Sequence, residues 1–125
     1  MARTQIAGPA QRTGTYDVVW RVPNRGLAGR AGVVFDITPS DHDDPTHALS
    51  LTVFAGDDGV VFPLPVIQSS WVGGPAVAKD GITPTYEFRC GLLGDVDFLA
   101  NRYLHIHLVI TNGPMRFRVS FEDAT

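Results

Sequence analysis

With a single cysteine, Cys90, the chain has no disulfide available to hold its fold. The thiol sits on the apolar parity it shares with Tyr86 and Phe88, which marks it as buried and reduced rather than as a nucleophile. Cations are scarce too. Lys79 is the only lysine, and a net charge of -3 with an isoelectric point near 5.7 excludes nucleic acid as the main partner, because phosphate binding needs clustered Lys and Arg. No apolar run approaches the ~20 residues of a membrane span, so no membrane partner is expected. Residues 1–14 lack the hydrophobic stretch of a signal peptide, and the translated and mature chains are expected to be the same. A sustained helical period of apolar residues is missing as well, which leaves little room for helix.

What is present alternates. At 125 residues with 44% apolar side chains, the chain is one domain able to bury a core. Its 13 glycines and 9 prolines are scattered as punctuation between apolar runs, a spacing that suits many short strands. The clearest stretch is 103–122. Leu104, Ile106, Leu108 and Ile110 hold one parity, Met115, Phe117, Val119 and Phe121 hold the next, and Arg116, Arg118, Ser120 and Glu122 alternate with the latter. Asn112-Gly113 supplies the φ > 0 residues of a tight turn between them, so the stretch reads as a β-hairpin with one buried face.

Earlier strands follow the same logic. Tyr16, Val18, Trp20 and Val22 form a first strand stopped by Pro23, and Asn24 to Arg30 is a loop. Val33, Phe35 and Ile37 make a second strand, and Leu49, Leu51 and Val53 a third. The turn Gly56-Asp57-Asp58-Gly59 leads to a fourth strand with Val60, Phe62, Leu64 and Val66, antiparallel to the third. Pro63 and Pro65 remove ladder donors and place that strand at a sheet edge. Residues 68–83 are a long connection anchored by Trp71, Tyr86 to Cys90 is a fifth strand, and Phe98 and Leu99 plug one end of the core. The whole reads as an all-β chain: an antiparallel β-sandwich, jelly-roll-like or immunoglobulin-like, of about seven strands. It spans residues 15–125 as one domain behind a flexible N-terminal arm, residues 1–14, for which the alternative is a segment that becomes ordered against a neighbouring subunit, and a closed barrel is the runner-up fold.

Enzyme signatures are lacking. Ser69-Ser70 and Ser120 have no nucleophile-elbow glycines around them, no Gly-rich loop opens a helix, and Cys90 has no histidine nearby in sequence, so neither catalysis nor a cofactor is expected. His105 and His107 lie about 7 Å apart on one strand face, the local geometry of a cupin metal site. Leu108 to Asn112 carries no acid and no histidine follows His107, so no metal is expected. Asp41-His42-Asp43-Asp44-Pro45-Thr46-His47 lacks the ligand pattern of an EF-hand loop and reads as a solvated turn. Tyr103, His105 and His107, lying beside Arg116 and Arg118, give a mixed aromatic and basic face suited to a protein contact. Arg3 and Arg12 of the arm and Trp71 of the long connection complete the candidate contact residues.

The order of these features resembles small β-sandwich virion proteins of tailed bacteriophages. The resemblance runs from Thr15 to Glu122 through Val33-Val34-Phe35-Asp36-Ile37-Thr38, Leu49-Ser50-Leu51-Thr52-Val53, Gly56-Asp57-Asp58, Thr85 to Cys90 and the final hairpin. The acidic Asp41 to Asp44 insertion and the histidine pair depart from it. It implies a capsid decoration or cementing subunit that binds the major capsid protein on the outside of the head and stabilises the shell. It further implies a homotrimer, made in the host cytoplasm and located in the virion. The alternative is a carbohydrate- or receptor-binding module of a tail or secreted protein, with Trp20, Trp71 and Tyr103 as candidate stacking residues, and a cupin-like metalloprotein comes third.

Overall fold

Alternating apolar residues make the strands, and the places where the alternation slips decide where those strands bend. The computed structural model describes residues 2–22, 31–56, 60, 62, 64–78, 81–90 and 103–123. In chain order these form β1 (Ala2–Arg21), β2 (Ala31–Ile37), the one-turn helix α1 (Pro39–His42), β3 (Ala48–Gly56), β4 (Leu64–Val72), β5 (Glu87–Arg89) and β6 (Tyr103–Asp123). All strand pairs are antiparallel.

β6 has three partners and two edges, so two partners must share an edge. β1 runs along one edge throughout, with Arg21 opposite Tyr103 and Ala2 opposite Asp123. On the other edge β3 pairs with 103–111 and β2 with 117–123. β4 lies beyond β3 and β5 beyond β2. The result is two half-sheets, β4-β3-β6-β1 and β5-β2-β6-β1, which share bent long strands and pack on one core.

Asn112-Gly113 is therefore a corner and not the expected hairpin turn. Asn112 has φ 59°, but Gly113 does not follow it into the left-handed region, as the tight hairpin turn would require. The two apolar runs pair with β1, β2 and β3, not with each other. The parity change serves the corner: Ile110 and Met115 are an odd number of residues apart, so only an irregularity between them lets both runs face the core. β1 bends alongside, with Gly14 at φ 69° opposite Ile110.

Residues 2–14 are likewise not a flexible arm; they are the first part of β1. Hydropathy conceals this strand because its side chains mostly face solvent, while backbone pairing with β6 and the side chains of Arg3 and Arg12 hold it. Six strands are present among the described residues, the two expected at 103–122 being one long strand, β6. β4 starts at Leu64 and continues to Val72, so Trp71 is a strand residue and not a loop anchor. Its place at a sheet edge beside β3 is as its prolines indicate. The Asn24 to Arg30 loop, Asp57-Asp58 and the Phe98-Leu99 plug lie outside the described residues.

Both expected parities of β6 are buried, as are Val33, Phe35 and Ile37 of β2 and Leu49, Leu51 and Val53 of β3. Aromatic rings join the halves: Trp20 meets Phe121 at 5.0 Å between centroids, and Trp71 meets Phe88 at 6.5 Å. Cys90 is buried, and burial pushes its thiol up to about 12, which leaves almost no thiolate at neutral pH. Ser120 and Glu122, on the parity expected to face solvent, are also buried, Glu122 beneath Arg3 and Arg89.

The acidic stretch after β2 is only in part the solvated turn expected: Asp43, Pro45 and Thr46 are exposed, while His42 and His47 are built into the fold. Pro39 opens α1, and the Thr38 hydroxyl donates to the Asp41 carboxylate at 2.8 Å. His42 is buried between Trp71 and Tyr86, with ring centroids 5.4 and 5.3 Å away, and His47 Nδ1 lies 3.0 Å from the Asp41 carbonyl oxygen. Asp41 also accepts from the Arg116 N–H at 2.9 Å. The hydroxyl and then the backbone N–H of Thr46 hold the Asp44 carboxyl below its ordinary range. These carboxylates are engaged by the chain itself.

Candidate functional site

On the outer face of the first half-sheet, polar and aromatic side chains of the described residues alternate outward from four adjacent strands. Its residues fall into rows set by register. One row runs Ser70, Ser50, Val109, Thr15; the next Gln68, Thr52, His107, Asp17; the third Pro65, Phe54, His105, Val19. On β3 and β6 the alternate residues, Leu51, Val53, Ile106 and Leu108, are core side chains, so strand parity directs their neighbours outward.

Asp17 joins the histidine pair. Its Oδ1 lies 2.9 Å from His105 Nε2 and 2.7 Å from His107 Nδ1, so one carboxylate oxygen accepts an N–H from each imidazole. This fixes both rings on the face, with His105 flanked by Phe54 at 5.8 Å and Phe62 at 5.3 Å. Among the described residues no three His, Cys, Asp or Glu side chains are gathered as a metal site, and each of these imidazoles already directs one nitrogen to Asp17. Val19 and Val109 stand beside the cluster, 49% and 37% exposed. Over β3 and β4 a shallow groove is lined by Ser50, Leu51, Thr52, Gln68, Ser69 and Ser70.

The His107 hydrogen bond, followed by that of His105, holds the Asp17 carboxyl below the usual carboxylate range. A depressed folded-state pKa means that the associated stability is complete above the unfolded carboxyl value, about 4, and is lost as pH falls through the folded one. Asp17 is 47% exposed, so solvent screening keeps that contribution small. Carbon-13 NMR titration should place the Asp17 midpoint below that of the denatured chain; an equal or higher midpoint would mean that the histidines do not hold it in solution.

Of the candidate contact residues, Tyr103, His105 and His107 share this face. Arg116 and Arg118 do not lie beside them, because the corner carries them to the other half-sheet, where Arg118 pairs with Asp36 at 2.9 Å. Arg3 is engaged by Glu122 at 2.8 Å and Glu87 at 2.9 Å. Arg12 donates to the carbonyls of Phe117 and Gly8 and lies over the rings of Tyr16 and Phe117. Trp71 and Trp20 are partly buried and pack against the core. Sequence reasoning missed Asp17, Gln68 and the Ser50, Thr52 and Ser70 hydroxyls. The outward parity of Asp17, Ser50 and Thr52 was visible in the alternation of β1 and β3, whereas Gln68 and Ser70 fell in the expected connection, and the convergence of all five depends on which strands pair.

No family model matches the chain, and no curated protein matches it. Solved structures do. A carbohydrate-binding module specific for non-crystalline cellulose superposes with a TM-score of 0.52 at 12% identity, over 95% of this chain and 72% of that one. A latent aurone synthase (polyphenol oxidase) gives 0.49 at 17% identity, over 92% of this chain and 24% of that one. Infectious bursal disease virus, Gx strain, gives 0.42 at 12% identity, over 96% and 30%. At 12% identity the likeness to the carbohydrate-binding module is one of fold, an antiparallel β-sandwich.

Proposed function

We propose that the chain is a non-enzymatic structural subunit of a phage virion, a decoration protein that binds the major capsid protein on the outside of the head. The observation that carries this reading is the outer face of the first half-sheet, where exposed Val19 shares a row with His105 and Phe54, next to Tyr103, and exposed Val109 stands on the far side of the Asp17 and His107 row. Apolar and aromatic area on a face otherwise polar suits a protein contact. Many copies on a shell add modest contacts through multivalency. A small homo-oligomer, a trimer on the family resemblance, belongs to the same proposal.

Co-sedimentation with heads of the encoding phage, prepared without this protein, tests it. Wild type should pellet with the heads, and Val19→Asp with Val109→Asp should abolish that while leaving thermal unfolding nearly unchanged, since neither side chain is in the core. Equal binding by the double variant would sink the assignment of the face, and no binding by wild type would sink the function.

A second reading, a carbohydrate-binding module, is favoured by the groove of hydroxyls and an amide over β3 and β4. Retention on amorphous cellulose that is lost in Gln68→Ala would support it over the first.

A further inference from the structure

The two parts of β1 are held differently. From Gly14 to Arg21 it keeps unbroken register with β6, and Tyr16, Val18 and Trp20 pack on the core. From Ala2 to Arg12 the register slips between Gln5 and Ala7 and between Ala7 and Ala10, and it slips again before Gly14. No side chain described in residues 3–13 is buried, and Ile6 and Ala7 are its apolar contacts with the core. Among the described residues no strand pairs with the outer edge of this segment.

The slot that the segment fills is more demanding than the segment itself. Glu122 is 6% exposed and takes an Arg3 N–H at 2.8 Å, and the Phe117 carbonyl takes one from Arg12. Emptying the slot would strip β6 of a ladder partner and leave a buried carboxylate short of a cation. The same contacts arise whichever copy of the chain supplies residues 2–12. What differs is the hinge at Thr13-Gly14. Within one chain Gly14 must hold φ 69° to carry β1 round the corner, whereas a strand that runs on into a neighbour needs only extended backbone there. No atom beyond the adjoining residues lies within 4 Å of the Cβ position at Gly14, so packing does not clamp the bend. Glycine adopts the bent and the extended backbone alike, so this short hinge permits exchange of an element between identical chains.

We propose that residues 2–12 are exchanged between copies of this chain, the strand of one copy completing the second half-sheet of the next. The partner is a second copy because the slot is matched to Arg3 and Arg12 at their spacing in this sequence. The exchange is independent of what the outer face of the first half-sheet binds.

Gln5 and Ser120 are Cα partners across β1 and β6, which gives a direct test. A chain with Gln5→Cys and a chain with Ser120→Cys, both with Cys90→Ala, are refolded together and oxidised, in parallel with a chain carrying both cysteines. The expected result is a disulfide joining the two different chains and covalent oligomers from the doubly substituted one. Closure of the double variant within single chains, with the mixture unlinked, would overturn the proposal. Light scattering on Gly14→Val gives a readout free of cysteine geometry. A β-branched residue disfavours φ 69°, so this variant should be dimeric or larger, and a folded monomer would also overturn the proposal.

Discussion

Phe117→Ala should lower the unfolding free energy by roughly 3 to 5 kcal/mol, the usual cost of deleting a ring from a packed core. Phe117 is 1% exposed, lies opposite Ile37 on β2 and Ala10 on β1, and meets the Phe35 ring edge-on at 5.7 Å between centroids. The Arg12 guanidinium, 4.8 Å from its ring centre, would lose a cation–π partner as well. A domain of this kind has only ~5 to 15 kcal/mol to lose, so the variant should sit near the limit of folding. Arg118→Ala next along the strand should cost under about 1 kcal/mol, because that side chain is 46% exposed and its ion pair with Asp36 is solvent-screened. Urea unfolding of both variants checks the pair, and the reverse order would mean that β6 presents its other face to the core.

Gly73→Ala should be comparably damaging, for a steric reason. A Cβ at residue 73 would lie 1.9 Å from the Asp44 carbonyl oxygen and 3.1 Å from that of His42. Those atoms belong to the backbone and cannot rotate aside. Gly73 also donates its N–H to His47 O at 2.8 Å, so the two segments cannot separate without losing that bond. Overpacking typically costs ~1 to 3 kcal/mol, and a backbone collision this close belongs at or above the upper end. Gly74→Ala is the control: nothing lies within 4 Å of its Cβ position, and it should change stability by less than about 1 kcal/mol. Calorimetric melting that found the two variants equal would remove the close approach of β4 to the Asp44 turn.

Both predictions rest on features of unequal visibility in the sequence. The buried parities of β2, β3 and β6 are plain in the alternation, since each apolar side chain skips a residue and lands in the core. The corner at 111–114 was not, because a parity change accompanies a hairpin and a bend alike, and only the partner strands tell them apart. The first part of β1 was hidden for a different reason: an edge strand with most of its side chains in solvent leaves no periodic signature, and what holds it is backbone pairing and two arginines. The candidate face was half readable. His105 and His107 showed themselves by their spacing, while Asp17, 88 and 90 positions away from them, could be placed only by the pairing of β1 with β6.

That pairing also sets an order of events during synthesis. Arg3 and Glu122 are 119 positions apart, and most of the ladder between β1 and β6 spans comparable distances. β1 therefore emerges from the ribosome well before the strand it pairs with has been made, and neither half-sheet can close until β6 arrives to serve both. Contacts of such high sequence separation are slow to form because a long loop must close first. Until then β1 has an unsatisfied backbone on both edges, and on a polysome the nearest completed β6 can belong to a sister chain made just ahead of it.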